Sequence, residues 1–283
     1  MRKKICFTLM AIFISASGCS QSNNSHESEQ MHHGDQQQGV AHNEMHEHMS
    51  KENHAATQMV WKFAEKPLKS NEQAHLTIQI QDQKGNPVQD FEIQHEKQMH
   101  LIIVSSDLSY FDHLHPKYKG NGLFTTAVTF PSGGEYQLYA DYVPKGGDPT
   151  VKNDDVVVQG EKAKAVPLQP DEHLTKVAEG KEITLSFDKL VAGQEATLTF
   201  RLKDEKSGKP IHLQPYLGAM GHVVIIRKGS YDYLHAHPID EQDEGSEASF
   251  MVQFPKDGIY QVWAQFQHEG KVITVPFTVS VSS

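Results

Sequence analysis

Beyond residue 19 this sequence contains no cysteine; Cys6 and Cys19, the two it has, both lie near the N-terminus. Disulfides and thiolate metal sites are thereby excluded from the rest of the chain. Any metal must be held by imidazole, thioether or carboxylate. Basic charge is also scarce, with 26 Lys and Arg against 36 Asp and Glu. That balance argues against nucleic acid and anionic membrane surfaces as partners and mildly favours cations. The apolar stretch from Ile5 to Ala16 is too short to cross a bilayer as a stable helix.

What the N-terminus does have is the layout of an export signal over residues 1–18. Arg2, Lys3 and Lys4 form a basic region, Ile5 to Ala16 an apolar one, and Gly18 precedes Cys19. The run Ala16-Ser17-Gly18-Cys19 resembles a bacterial lipobox, with Ala16 where Leu is usual, which implies an acylated Cys19 as the new N-terminus. Ordinary secretion with a free cysteine is the alternative. On the lipobox reading the protein sits on the extracytoplasmic side of the cell membrane, anchored in lipid through Cys19. Removing the signal leaves 23 basic against 36 acidic residues, a net charge of −13.

Residues 19–58 lack aromatics and hold almost no branched aliphatics, so they are expected to form a disordered tail. Seven histidines (His26, His32, His33, His42, His46, His48 and His54) are interleaved there with Met31, Met45 and Met49, and Met59 follows. A flexible spacer needs neither residue type. Side-by-side thioether and imidazole suit Cu(I) or Ag(I), and the imidazoles also suit Cu(II) or Zn.

From residue 59 the pattern is one of short strands. "HLTIQIQD" alternates apolar and polar residues, Gly85-Asn86-Pro87 supplies a turn, and further short runs are separated by Gly and Pro. The elements then recur: "GQEATLTFRLKD" matches "NEQAHLTIQIQD", "GHVVII" matches "MHLIIV", and Phe254-Pro255, Gly258, Tyr260 and Gln261 match Phe130-Pro131, Gly134, Tyr136 and Gln137. The fold class expected is all-β, two tandem immunoglobulin-like β-sandwich domains at 59–160 and 181–283. The linker between them, 161–180, carries two prolines and room for a short helical turn around "DEHLTKVAEG".

One motif is duplicated with its spacing intact. His100 is followed by His113, His115 and Pro116; His222 is followed at the same intervals by His235, His237 and Pro238. If His100 faces His113 and His222 faces His235 across hairpins, the turns fall at Ser106-Asp107 and Lys228-Gly229. Alternation along a strand then puts each trio on one face. That face also carries Ile102, Val104 and Phe111 in one copy and Val224, Ile226, Tyr231 and Tyr233 in the other. It is expected to turn into the core of its own sandwich, giving two separate three-histidine metal sites. The same register pairs His237 with Met220, a candidate fourth ligand favouring Cu(I); three histidines alone suit Zn or Cu(II). His95 and Glu96, without counterparts in the second copy, read as solvated surface rather than an added ligand pair, and His75, His173, His212 and His268 as surface or edge residues.

"MHLIIVSSDLSYFDHLHP" and "YLGAMGHVVIIRKGSYDYLHAHP" resemble the tandem H-x-H-P β-sandwich repeats of exported bacterial lipoproteins, similar to YtkA-like and copper-resistance immunoglobulin-like domains. The resemblance covers residues 60–281 and implies envelope metal handling: copper buffering, delivery or resistance, with zinc as a further cofactor candidate and a metal-transport protein or cuproprotein as partner. No Glu or Lys recurs within the motif to act as a general base, so no enzymatic activity is expected. Two alternatives stay open, a metal-free structural or adhesive sandwich pair and a three-histidine zinc or copper enzyme.

Overall fold

The structure is a computed structural model, and it describes residues 56–164, 166–239 and 245–283. The expected signal segment, the expected acylation site Cys19 and the His/Met-rich tail up to residue 55 lie outside the described residues. Among those described the architecture is all-β, two tandem immunoglobulin-like sandwiches, and no helix is long and apolar enough to cross a membrane.

The first sandwich is built from β1 (Gln58–Phe63), β2 (Leu68–Lys69), β3 (Gln73–Gln81), β4 (His100–Ser105), β5 (Phe111–Leu114), β6 (Lys117–Tyr118), β7 (Leu123–Thr129), β8 (Gly134–Tyr142) and β9 (Thr150–Gln159). Its sheets run β1-β3-β7-β6 and β2-β9-β8-β4-β5. The second contains β10 (Thr175–Ala178), β11 (Lys181–Phe187), β12 (Glu195–Asp204), β13 (His222–Arg227), β14 (Tyr233–His235), β15 (His237–Pro238), β16 (Glu247–Gln253), β17 (Gly258–His268) and β18 (Lys271–Val281). Its sheets run β10-β11-β12-β16-β15 and β14-β13-β17-β18.

Period-two alternation explains the outer strands. In β3, Ala74, Leu76, Ile78 and Ile80 are buried while the residues between them are not. Leu76, Ile78, Phe124 and Leu138 meet in the first core; Leu198, Phe200, Phe250 and Phe277 meet in the second. Each copy of the G-x-Y element closes a tyrosine corner: Tyr136 Oη donates to the Ser132 carbonyl at 2.9 Å, and Tyr260 Oη to that of Lys256 at 2.7 Å.

The expected linker is shorter than residues 161–180, and no helical turn forms at its end. Thr175–Ala178 pairs antiparallel with β11. Glu179 and Gly180 take φ of +49° and +69°, the left-handed pair that a two-residue hairpin turn requires.

Strands β4 and β13 are buried along nearly their whole length, so both of their faces are covered. Leu101 and Ile103 point into the first core, and Val223 and Ile225 into the second. The alternate residues Ile102, Val104, Val224 and Ile226 form a third apolar cluster with Leu108, Tyr139 and Trp263. This cluster joins the two sandwiches. Across it Phe111 stacks on Trp263 (centroids 4.9 Å apart) and Tyr139 on Tyr233 (5.4 Å), while Leu168 of the linker packs against its edge. The face expected to line each sandwich's own core therefore lines the junction between them. The duplicated motif sits where the chain changes sheets: β5 pairs with β4 but β6 with β7, and β14 with β13 but β15 with β16. Proline at this crossing removes an N–H that no ladder needs.

Replacing Trp263 by Ala should cost the junction on the order of 3–5 kcal/mol and speed proteolytic cleavage within residues 161–174, with the far-UV spectrum of the sandwiches unchanged. A cleavage rate equal to that of the native chain would show that Trp263 does not hold the junction.

Candidate metal centre

The hairpins that carry the histidines differ in register from the expected one, and by the same amount in both copies. His113 pairs with Ile102 rather than His100, and His235 with Val224 rather than His222. Both turns enclose four residues instead of two, closed by the Ser105 N–H to the Tyr110 carbonyl (3.2 Å) and by the Arg227 N–H to that of Asp232 (3.1 Å). Side-chain chemistry builds the first of these loops: Asp107 Oδ1 accepts from Ser105 Oγ (2.6 Å), Ser109 Oγ (2.7 Å) and the Ser109 N–H (3.1 Å). Leu108, at φ +61°, is then turned down into the apolar junction. A slip of two residues preserves side-chain parity, so the histidines of each copy still share a face.

Because those two faces meet, the two trios meet as well. Ring centroids of His113 and His222, from different sandwiches, lie 4.8 Å apart, and those of His100 and His222 lie 5.5 Å apart. Within the copies, His113 lies 4.7 Å from His115, and His222 5.3 Å from His235. Two groups of three ring nitrogens converge to within 4.8 Å: His100, His113 and His222 in one, His95, His222 and His235 in the other. The expected pair of separate sites is a single cluster across the junction.

Hydrogen-bond accounting fixes the tautomers. His100 Nε2 faces the Gln94 carbonyl at 2.9 Å, so Nε2 carries the proton and Nδ1 a lone pair. Gln265 Nε2 donates to Thr274 Oγ1 (3.1 Å), leaving Gln265 Oε1 to accept from His113 Nδ1 (2.7 Å); His113 Nε2 then also carries a lone pair. These two lone pairs face one another at 3.0 Å with no proton to share. Two nitrogens on one tetrahedral ion, each at 2.0–2.1 Å, sit about 3.3 Å apart. His235 Nδ1 donates to Asp141 Oδ2 at 3.2 Å, which aims its Nε2 into the cluster. The Nε2 atoms of His115, His222 and His235 are buried without any hydrogen-bond partner.

The outer partners are themselves related by the repeat. Asp141 is the register partner of His100, and Gln265 of His222. Each reaches across the junction: Gln265 to His113, Asp141 to His235. Such bonds set the orientation of an imidazole and raise its basicity as a ligand, the carboxylate more than the amide.

Protonation does not resolve the facing lone pairs. Burial lowers the pKa of His113 to about 3, the bond to Gln265 opposing the shift only in part. Burial and the neighbouring His235 and His100 lower His95 to about 4; burial and His100 lower His115 to about 4. Burial is also the main cause that depresses His100 and, further, His222. All five are neutral at pH 7, the form that binds a metal.

Of the residues expected from the sequence, His100, His113, His115, His222 and His235 are brought together. His237 is exposed and stacks on His235 at 5.7 Å, at the rim. Met220 is displaced from the site: it packs in the core of the second sandwich, and His237 pairs with Met251 instead. The register slip and the sheet change at Ala236 account for this. His95, read as surface, is half-buried and joins the cluster, 4.7 Å from His235. It sits with Glu96 in a tight turn closed in both directions between Gln94 and Lys97, at φ +46° and +64°. Leu217-Gly218 occupies the same turn in the second copy. A cavity of about 400 Å³, lined by His75, Thr77, His115, Lys117 and Thr125 among others, opens beside His115.

A family profile described as "Domain of unknown function (DUF8832)" matches residues 54–159 and again residues 175–283. The chain belongs to this family. Each sandwich of the DUF8832 chain corresponds to one of the two matched segments. No curated protein matches. Among solved structures, domains 4 and 5 of the S-layer protein SbsC are similar at 18% identity over 55% of this chain and 69% of that one, with a TM-score of 0.24. InvD of Yersinia pseudotuberculosis is similar at 14% identity over 79% and 57% (TM-score 0.26), and the bacterial integrin-binding protein invasin at 14% over 79% and 39% (TM-score 0.24). The DUF8832 chain thus spans less than two thirds of the InvD and invasin chains.

The depressed histidine pKa values make stability depend on pH. The unfolded chain takes up protons near pH 6.5, whereas the folded cluster resists them down to about pH 3–4, so stability is full above pH 6.5 and is lost as pH falls through that window. The melting temperature of the metal-free protein should fall between pH 7 and pH 4.5 more steeply than that of a His113→Gln/His115→Gln variant. Parallel curves would contradict burial of these rings.

Proposed function

We propose that this DUF8832 chain is a membrane-anchored, extracytoplasmic metal-binding protein that holds copper between its two sandwiches and serves in copper buffering, delivery or resistance. The observation that carries this reading is the donor set: His100 and His113 have their N–H groups engaged outside the cluster and unshared lone pairs facing one another at 3.0 Å, and the Nε2 atoms of His115, His222 and His235 are buried without a partner. An unsatisfied buried polar atom costs on the order of 1–3 kcal/mol. Three such nitrogens together rival the ~5–15 kcal/mol of net stability of an ordinary domain, and one bound cation would relieve them. With Met220 in the core, the centre offers nitrogen alone, which suits Cu(II) and Zn and leaves thioether binding of Cu(I) to the tail. The cavity beside His115 would give a route from solvent. Acylation of Cys19 would hold the protein at the membrane, where the tail collects ions for the junction.

The same cavity favours a second reading, a three-histidine zinc or copper enzyme. Among the described residues its lining contains no carboxylate to act as a base, and Asp141 at the cluster is bonded to His235.

Metal analysis after dialysis against a competing chelator tests the proposal. The native chain should retain copper, removal of residues 20–55 should reduce the total while sparing the most tightly held ion, and joint replacement of His100, His113, His222 and His235 by Ala should abolish that ion. Equal retention by the quadruple variant lacking the tail would rule the function out.

A further inference from the structure

The two groups of three nitrogens share one residue, His222, and neither group is complete within one sandwich. His100 and His113 come from the first copy and need His222 from the second; His222 and His235 come from the second and need His95 from the first. The sequence repeat suggests two ions, one for each copy. The geometry argues otherwise. His222 is almost wholly buried, its Nε2 is without a partner, and it has a histidine from the other copy on either side, His113 at 4.8 Å and His95 at 5.6 Å. Two cations here would be neighbours in a desolvated space in which Asp141 is the acidic side chain bonded to the cluster.

We propose that the cluster is a single-ion site with two overlapping positions, His100/His113/His222 and His95/His222/His235, in which His222 is the ligand common to both and a copper or zinc ion passes between them without leaving the protein. The inference rests on the reading of the cluster as a metal centre and adds its stoichiometry and internal path. The two positions are not equal. His235 is braced by a carboxylate and His113 by a neutral amide, so the ion rests on the Asp141 side and visits the Gln265 side. That second position adjoins His115, which lies 4.7 Å from His113 and lines the solvent-facing cavity. The ion's path therefore runs from the cavity past His115 to the first position and on, pivoting about His222, to the second.

Cobalt(II) titration of the full-length chain tests this, because tetrahedral nitrogen coordination gives Co(II) an intense visible absorption that loosely bound octahedral ions lack. The intense band should saturate at one Co(II) per chain. The pair His100→Gln/His113→Gln and the pair His95→Gln/His235→Gln should each keep one such site with at least tenfold weaker affinity, whereas His222→Gln alone should lose the band. The near-ultraviolet signal of Trp263 reports in each variant that the junction is intact, and His222→Asn provides a second substitution should the Gln variant misfold. Saturation at two equivalents, or a His222 variant that keeps half of the band at native affinity, would overturn the shared site. Absence of any intense band from the native chain would instead remove the metal centre itself.

Discussion

Everything about the junction follows from imidazoles being buried between two apolar faces with fewer protons than their geometry demands. Ile102, Val104, Val224, Ile226 and Trp263 make the contact dry. Dryness keeps His100, His113 and His222 neutral, and the carbonyl of Gln94 and the side chains of Gln265 and Asp141 hold ring N–H groups of His100, His113 and His235 outward. What is left inside is a set of lone pairs facing one another. A hydrophobic interface would by itself select against such groups. Their presence at its edge is a cost in folding stability that the proposed metal centre would offset.

The repeat supplies the symmetry of this arrangement and its departures supply the direction. Equivalent strands present equivalent histidines, and the register partners of His100 and His222 reach across to brace His235 and His113. At three positions the copies diverge: Asp141 against Gln265, His95 against Leu217, and half-buried His115 against exposed His237. Charge compensation thus lies on one side and solvent access beside His115 on the other. A tandem of identical domains would hold an ion with no preferred position.

Much of this was legible in the chain. Alternation and turn residues marked the strands, and the exact recurrence of the histidine intervals marked the histidines that cluster and, through parity, their common face. The orientation of that face was not legible, because Leu101 and Ile103 are as apolar as Ile102 and Val104, and nothing local tells an own core from a neighbouring domain. Loop length was obscured because Asp107 builds a four-residue turn from a segment that also fits a two-residue one. The two-residue register would put Met220 on the histidine face, whereas the four-residue turn leaves it in the core of the second sandwich. The repeat is silent at His95 because its counterpart is Leu217; the turn it shares with Leu217-Gly218 is the available signal. Asp141 and Gln265 lie on strands remote in sequence from the motif, and only pairing brings them to it.

The position of a bound ion is the central question. Diffraction from copper-loaded crystals at the copper absorption edge locates it directly. One anomalous peak is expected at the junction, bonded to His222 and to at least one histidine of the first sandwich. No peak at the junction, or separate peaks each bound by the histidines of one copy alone, would contradict it.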